Sequence, residues 1–260
     1  MKSNKIIAFY FVALPISLCL RFLQLAFTVE PKTGFYIPES QGMGTALLIL
    51  ILLCSLFVAL FARLTYKQPD TLPPINFRLS ISSALLAVGI MLETFFADFS
   101  LPIPGWQSIL LKIASAAAAI FLLAFAISPV IKFEIKPILA ALPVIYSIIR
   151  LICDFSLVSK LAIISDNIIL IAVYSVSMFF FLNFAKLYNG IEDDKNYKKI
   201  LSYGLTLSVL SFTSSVPNLI CGVFSQGFDH ISVFTNITVL FLGIFATAFV
   251  FSFKVKDEQI

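Results

Sequence analysis

The chain has 260 residues, of which 60% are hydrophobic and 12% are charged, and its formal net charge is +4. Soluble domains carry about 25% charged residues, so this composition excludes an ordinary soluble globule and favours a membrane protein. The basic residues are not clustered as a nucleic-acid groove requires, which argues against a nucleic-acid partner. The four cysteines stand singly, without a CxxC pair, so the sequence predicts neither a zinc site nor a redox pair.

Eight apolar stretches follow one another along the chain, each long enough for a helical span of about 20 residues in a lipid bilayer. Because a backbone in hydrocarbon must satisfy its own hydrogen bonds, every span is expected to be a helix. The predicted fold class is an all-α polytopic transmembrane bundle that forms a single integral membrane domain over residues 1–260. The predicted spans cover residues 6–28, 43–64, 79–99, 106–128, 137–154, 160–188, 199–221 and 231–253.

The distribution of Lys and Arg near the span ends predicts the orientation. One side receives basic residues at both chain ends and in alternate loops, whereas the loops of the other side receive only Lys32 and Lys160. The first side is therefore predicted to be cytoplasmic, with both termini there, in a multi-pass protein of the plasma membrane. The alternative is a cleaved signal peptide, which would leave seven spans, but Pro15, Arg21 and the lack of a cleavage motif argue against it.

The two halves of the sequence resemble each other. Ala13-Leu14-Pro15 precedes Arg21 in the first span, and Ala141-Leu142-Pro143 precedes Arg150 in the fifth. Shared apolar composition explains part of the likeness, but arginine inside a span is rare. The pattern predicts a parallel duplication of four spans, residues 1–136 and 137–260, related by a pseudo-twofold axis along the membrane normal.

Charged residues from five spans lie roughly four to seven residues from the outer span ends, which is about 6–10 Å below the outer interface. Charges inside a membrane are candidates for function, so they predict an outward-facing polar site. They could instead hold the bundle together as ion pairs, and Lys112 and Arg150 could extend to the headgroups. The predicted site comprises Arg21, Gln24, Glu93, Lys112, Arg150, Asp166, Asn167 and Asn218.

Arg21 is the charged residue whose side chain is least able to reach the lipid headgroups, because it lies deepest in its span. A second polar residue, Gln24, follows it by three positions. An unpaired arginine in hydrocarbon costs several kcal/mol. Arg21 is therefore expected to face the bundle interior and to pair with Glu93 or Asp166.

No catalytic, cofactor or metal motif is present, and the one histidine, His230, lacks a second His or Cys to complete a metal site. The sequence therefore predicts no enzyme and no cofactor. It favours a solute-binding or transporter-like bundle in the lipid bilayer, and three cations favour a small anionic solute. Against transport, no polar residue marks a path through the inner half. The alternative is a non-catalytic sensory, assembly or scaffold subunit that works through a membrane or cytoplasmic protein partner.

A short pattern near the first span carries a family resemblance. Arg21-Phe22-Leu23-Gln24-Leu25, followed by Thr33-Gly34-Phe35-Tyr36, resembles a pattern in uncharacterised bacterial polytopic membrane proteins. The resemblance covers the first span and its outer loop, and it implies no activity.

The predicted topology can be measured with paired reporters that are active on opposite sides of the membrane. Fusions after Lys67, Lys136 and Lys195 are expected to report cytoplasm, because their loops carry the basic residues. Fusions after Lys32, Pro104 and Asp229 are expected to report the outside. A missed or split span would invert every reporter downstream of it and would contradict the prediction.

Overall fold

In the part of the chain that the structure describes, eight helices are long and apolar enough to cross a membrane. The structure is a computed structural model that describes residues 4–31, 33–65, 75–96, 105–131, 137–158, 165–191, 194–224 and 232–253. Within these ranges the β pairing is one antiparallel bridge, Val29 to Tyr36. The helices are α1 (Asn4–Thr28), α2 (Gln41–Leu64), α3 (Phe77–Phe96), α4 (Gly105–Ile131), α5 (Leu142–Val158), α6 (Ser165–Tyr188), α7 (Asp194–Phe224) and α8 (Val233–Ser252).

The predicted all-α bundle of eight spans is confirmed, and the chain is a multi-pass integral membrane protein. The predicted fifth span begins as a 3-10 turn, Pro137–Ala141, before α5 starts. Positions 97–99, 160–164 and 231 of the predicted spans lie outside the described residues. Helix α7 continues through Pro217, where the missing N–H leaves the carbonyl of Thr213 without its usual intrahelical donor.

Successive helices run in alternate directions, so the basic residues collect at one end of the bundle. Near the other end, the last turns of α1 meet the first turn of α2 through a hydrogen bond from Gln24 to the carbonyl of Gly44. We call the end at which α1 begins and α2 ends the basic end, because it carries Lys5, Arg63, Arg78, Lys186, Lys195, Lys198 and Lys199. The other end is called the opposite end.

Six of the helices form a closed ring. From α3 to α8, each helix packs against the next one in the chain, and α8 packs back against α3. Helices α1 and α2 stand outside this ring, pack on each other and both contact α7. Large apolar side chains such as Ile120 and Phe11 are exposed on the outer faces of the helices, as contact with lipid requires.

Aromatic side chains fill the ring in its half near the basic end. Phe125 of α4 lies 5.6 Å from Phe184 of α6 and 6.5 Å from Phe245 of α8, measured between ring centroids. These three helices are not neighbours in the ring, so their side chains meet at its centre. Phe249 adds a further contact with Phe184 at 5.2 Å. We call this group, Phe125, Phe184, Phe245 and Phe249, the aromatic plug.

The structure does not confirm the predicted duplication of four spans, which stays a prediction. Helix α7 packs against α1, α2, α6 and α8, whereas its predicted counterpart α3 packs against α4 and α8. The two arginines inside the spans also have partners on helices that do not correspond. Arg21 pairs with Asp166 on α6, and Arg150 pairs with Glu93 on α3. In an intact four-plus-four symmetry, the partner of Arg150 would lie on α2, the counterpart of α6.

Gly204 lets α7 pack closely against α8 and α6. A Cβ at this position would overlap Cγ2 of Val250 and lie 3.1 Å from Cε2 of Phe180, whereas a Cβ at Gly222 would meet nothing within 4 Å. We expect Gly204→Leu to lower the free energy of unfolding by about 1–3 kcal/mol, as overpacking does. The matched control Gly222→Leu gains the same helix propensity without the overlap. Thermal unfolding in detergent measures both, and equal midpoints would contradict the close packing.

Candidate functional site

The structure divides the predicted polar site into two clusters. The first, which we call the Arg21 cluster, joins α1, α6 and α7 and consists of Arg21, Gln24, Tyr36, Ser165, Asp166 and Asn218. Arg21 donates through Nη2 to Oδ1 of Asp166, and both side chains are fully buried. Its Nη1 donates to Gln24 Oε1 and, at 3.3 Å, to Ser165 Oγ. Asn218 Nδ2 donates to the same carboxylate oxygen at 2.9 Å. The expected pairing of Arg21 with Glu93 or Asp166 is confirmed, and the partner is Asp166.

Tyr36, in the loop between α1 and α2, covers the side of the Arg21 cluster that faces the opposite end of the bundle. Gln24 Nε2 donates at 2.9 Å both to Tyr36 Oη and to the carbonyl of Gly44, and Tyr36 Oη donates to the same carbonyl at 3.2 Å. A Cβ at Gly44 would overlap the Tyr36 ring, so the close approach needs glycine there. Burial raises the pKa of Tyr36, which keeps the phenol neutral and able to donate.

The second cluster, which we call the Arg150 cluster, crosses the interior of the helix ring and consists of Glu93, Tyr146, Arg150, Asp154 and Tyr174. Arg150 Nη2 lies 3.0 Å from Glu93 Oε1 on α3, and its Nε lies 3.3 Å from Asp154 Oδ2 one turn along α5. Tyr146 donates to Glu93 Oε2 at 3.3 Å. The guanidinium also stands 5.3 Å above the ring of Tyr174, which is a cation–π contact.

The Arg150 cluster contains more negative than positive charge when its groups are ionised. It joins one guanidinium to two carboxylates, and all three side chains are at least nine-tenths buried. The Arg21 cluster is balanced, with one guanidinium and one carboxylate. Charges held this far from water are costly unless they are paired, so the unbalanced carboxylate distinguishes the Arg150 cluster from an ordinary structural ion pair.

Two of the predicted site residues lie outside these clusters. Lys112 is exposed on α4, on the outward face that also carries Ile109 and Ile113, so it lies apart from both clusters. Packing of α4 against α3 and α5 turns that face away from the ring. Asn167 is half-buried beside Asp166, and the hydrogen bonds described for the Arg21 cluster do not involve it. His230 lies outside the described residues.

Polar groups continue from the Arg21 cluster toward the basic end, between α1 and α7. The Tyr10 hydroxyl lies 2.6 Å from Ser208 Oγ, which lies 2.6 Å from Thr247 Oγ1. Tyr10 is six residues, or about 9 Å, from the start of α1. These hydroxyls are polar groups near the basic end, where the sequence indicated no polar residues that mark a path. The serines and threonines of this seam are common in helix packing, so their sequence pattern did not reveal it.

Two buried hydroxyls lie between these groups. Helices α1 and α7 run in the same direction, and the residue offset between them is 198 at Tyr10 and Ser208. Arg21 and Asn218 both contact Asp166, and their residue numbers differ by 197. The same difference places Ser17 of α1 at the height of Ser214 of α7. Both Oγ atoms are fully buried and make no hydrogen bond among the described residues. We call the column from Asn218 through Ser17 and Ser214 to Tyr10 the α1–α7 seam.

Sequence reasoning missed the tyrosines of both clusters. Tyr146 stands one turn before Arg150 on α5, and this spacing of four residues could have identified it. Tyr36 and Tyr174 gave no such signal, because an aromatic residue in or beside an apolar span is usual. Among the described residues, no group of three or more His, Cys, Asp and Glu side chains could hold a metal ion. The contacts that the structure shows within the two clusters are ion pairs, hydrogen bonds and a cation–π contact.

Removing one member of the Arg21–Asp166 pair tests its contribution to stability. We expect Arg21→Met to lower the free energy of unfolding by about 3–5 kcal/mol, because it leaves a buried carboxylate without its guanidinium. Adding Asp166→Asn should restore most of the loss, since the double variant buries no charge there. Thermal unfolding in detergent measures the effect, with the exposed Lys112→Met as control. A double variant that is no more stable than Arg21→Met would contradict the pairing as the cause.

Comparisons with known proteins give no relative for this chain. No protein-family model matches it, and no curated protein or solved structure matches it. The resemblance of the first span to uncharacterised bacterial membrane proteins stays a prediction, and function must be argued from the two clusters themselves.

Proposed function

We propose that this membrane protein is a transporter-like bundle that binds a small solute at the Arg150 cluster. The observation that carries the proposal is the meeting of Glu93, Arg150 and Asp154 inside the helix ring. Large apolar side chains fill the space around these charges, so the three groups are held away from water. Burying them is costly, and groups that are buried at such a cost inside a membrane mark ligand and ion paths.

The charge balance favours a cation rather than the anionic solute expected from the sequence. That expectation counted three cations, but Lys112 is exposed and Arg21 is matched by Asp166. The Arg150 cluster has two carboxylates for one guanidinium. A small cation bound there would complete the balance in a place where an unpaired charge is held away from water.

Access is proposed from the opposite end. The aromatic plug fills the ring on the basic-end side of the Arg150 cluster, so a solute would reach the cluster from the other direction. The distribution of Lys and Arg supports a cytoplasmic basic end, with both termini inside a plasma membrane.

A second candidate is the non-catalytic membrane subunit that works through a protein partner. The charge balance of the Arg21 cluster favours it, since Asp166 matches Arg21 and Gln24 and Ser165 accept further hydrogen bonds from its guanidinium. Such a cluster can serve to hold α1 against the ring without any solute. This candidate predicts that the Arg150 cluster is also structural.

Ligand-dependent stabilisation separates the two candidates. The purified full chain is unfolded thermally in sodium, potassium, ammonium or methylammonium chloride, with N-methylglucamine chloride as the reference at equal ionic strength. A cation that binds the folded state stabilises it by about 2.7 kcal/mol at a concentration of about 100 times its Kd. We expect at least one cation to raise the unfolding temperature of the wild type and of Lys112→Gln, but not of Asp154→Asn.

Three other outcomes would contradict the binding of a cation at the Arg150 cluster. Stabilisation by phosphate, sulfate or acetate that disappears in Arg150→Gln would show that the cluster binds an anionic solute instead of a cation. An equal response of wild type and Asp154→Asn would show that the cations act elsewhere. No response to any of these ions would contradict solute binding at the cluster and favour the subunit.

A further inference from the structure

A groove on the outside of the bundle lies apart from both charge clusters. Helices α2 and α6 form its walls and α7 forms its floor, and its volume is about 400 Å³. Its lining is mostly aliphatic, with Leu52 and Leu56 on one wall, Val176 on the other and Leu210 on the floor. The groove belongs to the membrane-facing surface, so an apolar occupant is expected along most of its length.

The length of the groove corresponds to one leaflet of a bilayer. Its lining on α2 extends from Leu52 to Arg63, which is eleven steps along the helix, or about 16 Å at the helical rise of 1.5 Å per residue. The hydrocarbon core of a bilayer is about 30 Å thick, so one leaflet accounts for about half of it. An extended lipid acyl chain therefore fits the groove, with its headgroup near the last turn of α2.

Arg63 stands at the basic end of the groove in a fixed position. Its Nη2 donates to Tyr203 Oη at 3.1 Å, and its guanidinium carbon lies 5.4 Å from the centre of the Tyr203 ring. Tyr203 is itself stacked on Phe179 at 5.4 Å. The Nε of Arg63 is buried and makes no hydrogen bond among the described residues. A guanidinium has five donors, so several remain for an anion at the mouth of the groove.

We propose that this groove is a binding site for one anionic phospholipid of the leaflet at the basic end, with an acyl chain between α2 and α6 and the phosphate on Arg63. The charge of the phosphate complements Arg63, and a guanidinium fixed in a fork geometry binds phosphate oxygens in pairs. The proposal is independent of the solute proposed for the Arg150 cluster, because none of the groove residues belongs to that cluster.

The experiment adds dioleoylphosphatidylglycerol to the purified full chain in detergent and counts retained lipids by native mass spectrometry. We expect one lipid to be retained in preference to further copies. Arg63→Gln should weaken its retention about tenfold or more, because a charge-assisted hydrogen bond is lost. The matched control is Arg78→Gln, which removes an exposed arginine at the same end of the bundle and should leave retention unchanged.

The acyl-chain part of the site is tested from both walls. Ala59→Phe on α2 and Ala172→Phe on α6 each place a ring in the groove and should each reduce retention, so the test survives if one of them fails to fold. Leu53→Phe is the control, because Leu53 is exposed on α2 outside the groove. Its retention should equal that of the wild type.

Three results would overturn the proposal. Retention by Arg63→Gln equal to that of the wild type would remove the phosphate contact. An equal loss in Arg78→Gln would show that any basic residue at this end attracts the lipid. Displacement of the lipid by millimolar glycerol phosphate, with no effect of Ala59→Phe or Ala172→Phe, would identify a soluble phosphate ester as the ligand.

Discussion

Two arginines without access to water set the main constraint on this bundle. A guanidinium inside hydrocarbon must find a carboxylate, and in both clusters an acid on another helix supplies one. Arg21 thereby joins α1 to α6, and Arg150 joins α5 to α3 across the interior of the ring. The second contact is the more unusual, because α3 and α5 are separated in the ring by α4.

Apolar packing between helices gives little direction inside a membrane, because lipid tails are as apolar as the side chains they replace. The bundle instead combines close helix approach with polar contacts whose geometry is specific. Gly204 and Gly243 bring α7 and α8 together, while Thr238 donates to the carbonyl of Gly89 between α8 and α3. The aromatic plug then fills the space that the closed ring leaves at its centre. These contacts give the ring one arrangement rather than several.

The helices could be predicted from sequence, because a membrane allows few alternatives to a helix and hydropathy identifies the spans directly. The partner of Arg21 could be narrowed to two acids, since acids inside the spans are few. The position of Lys112 could not be predicted, because only the packing of α4 decides which of its faces points inward. The same holds for Tyr10 and Ser208, which are 198 residues apart and look like ordinary residues of apolar spans. Tertiary neighbours, not local pattern, decide these positions.

The pairing of Arg21 also affects how the protein is made. Its carboxylate partner is 145 residues further along the chain. At a synthesis rate of about 5–20 residues per second, Arg21 is synthesised about 7–30 s before Asp166. Gln24 is on the same helix and Gly44 begins the next, so both are synthesised early enough to accompany it. Gln24 is thus available as a hydrogen-bond acceptor for Arg21 before the sixth helix is synthesised.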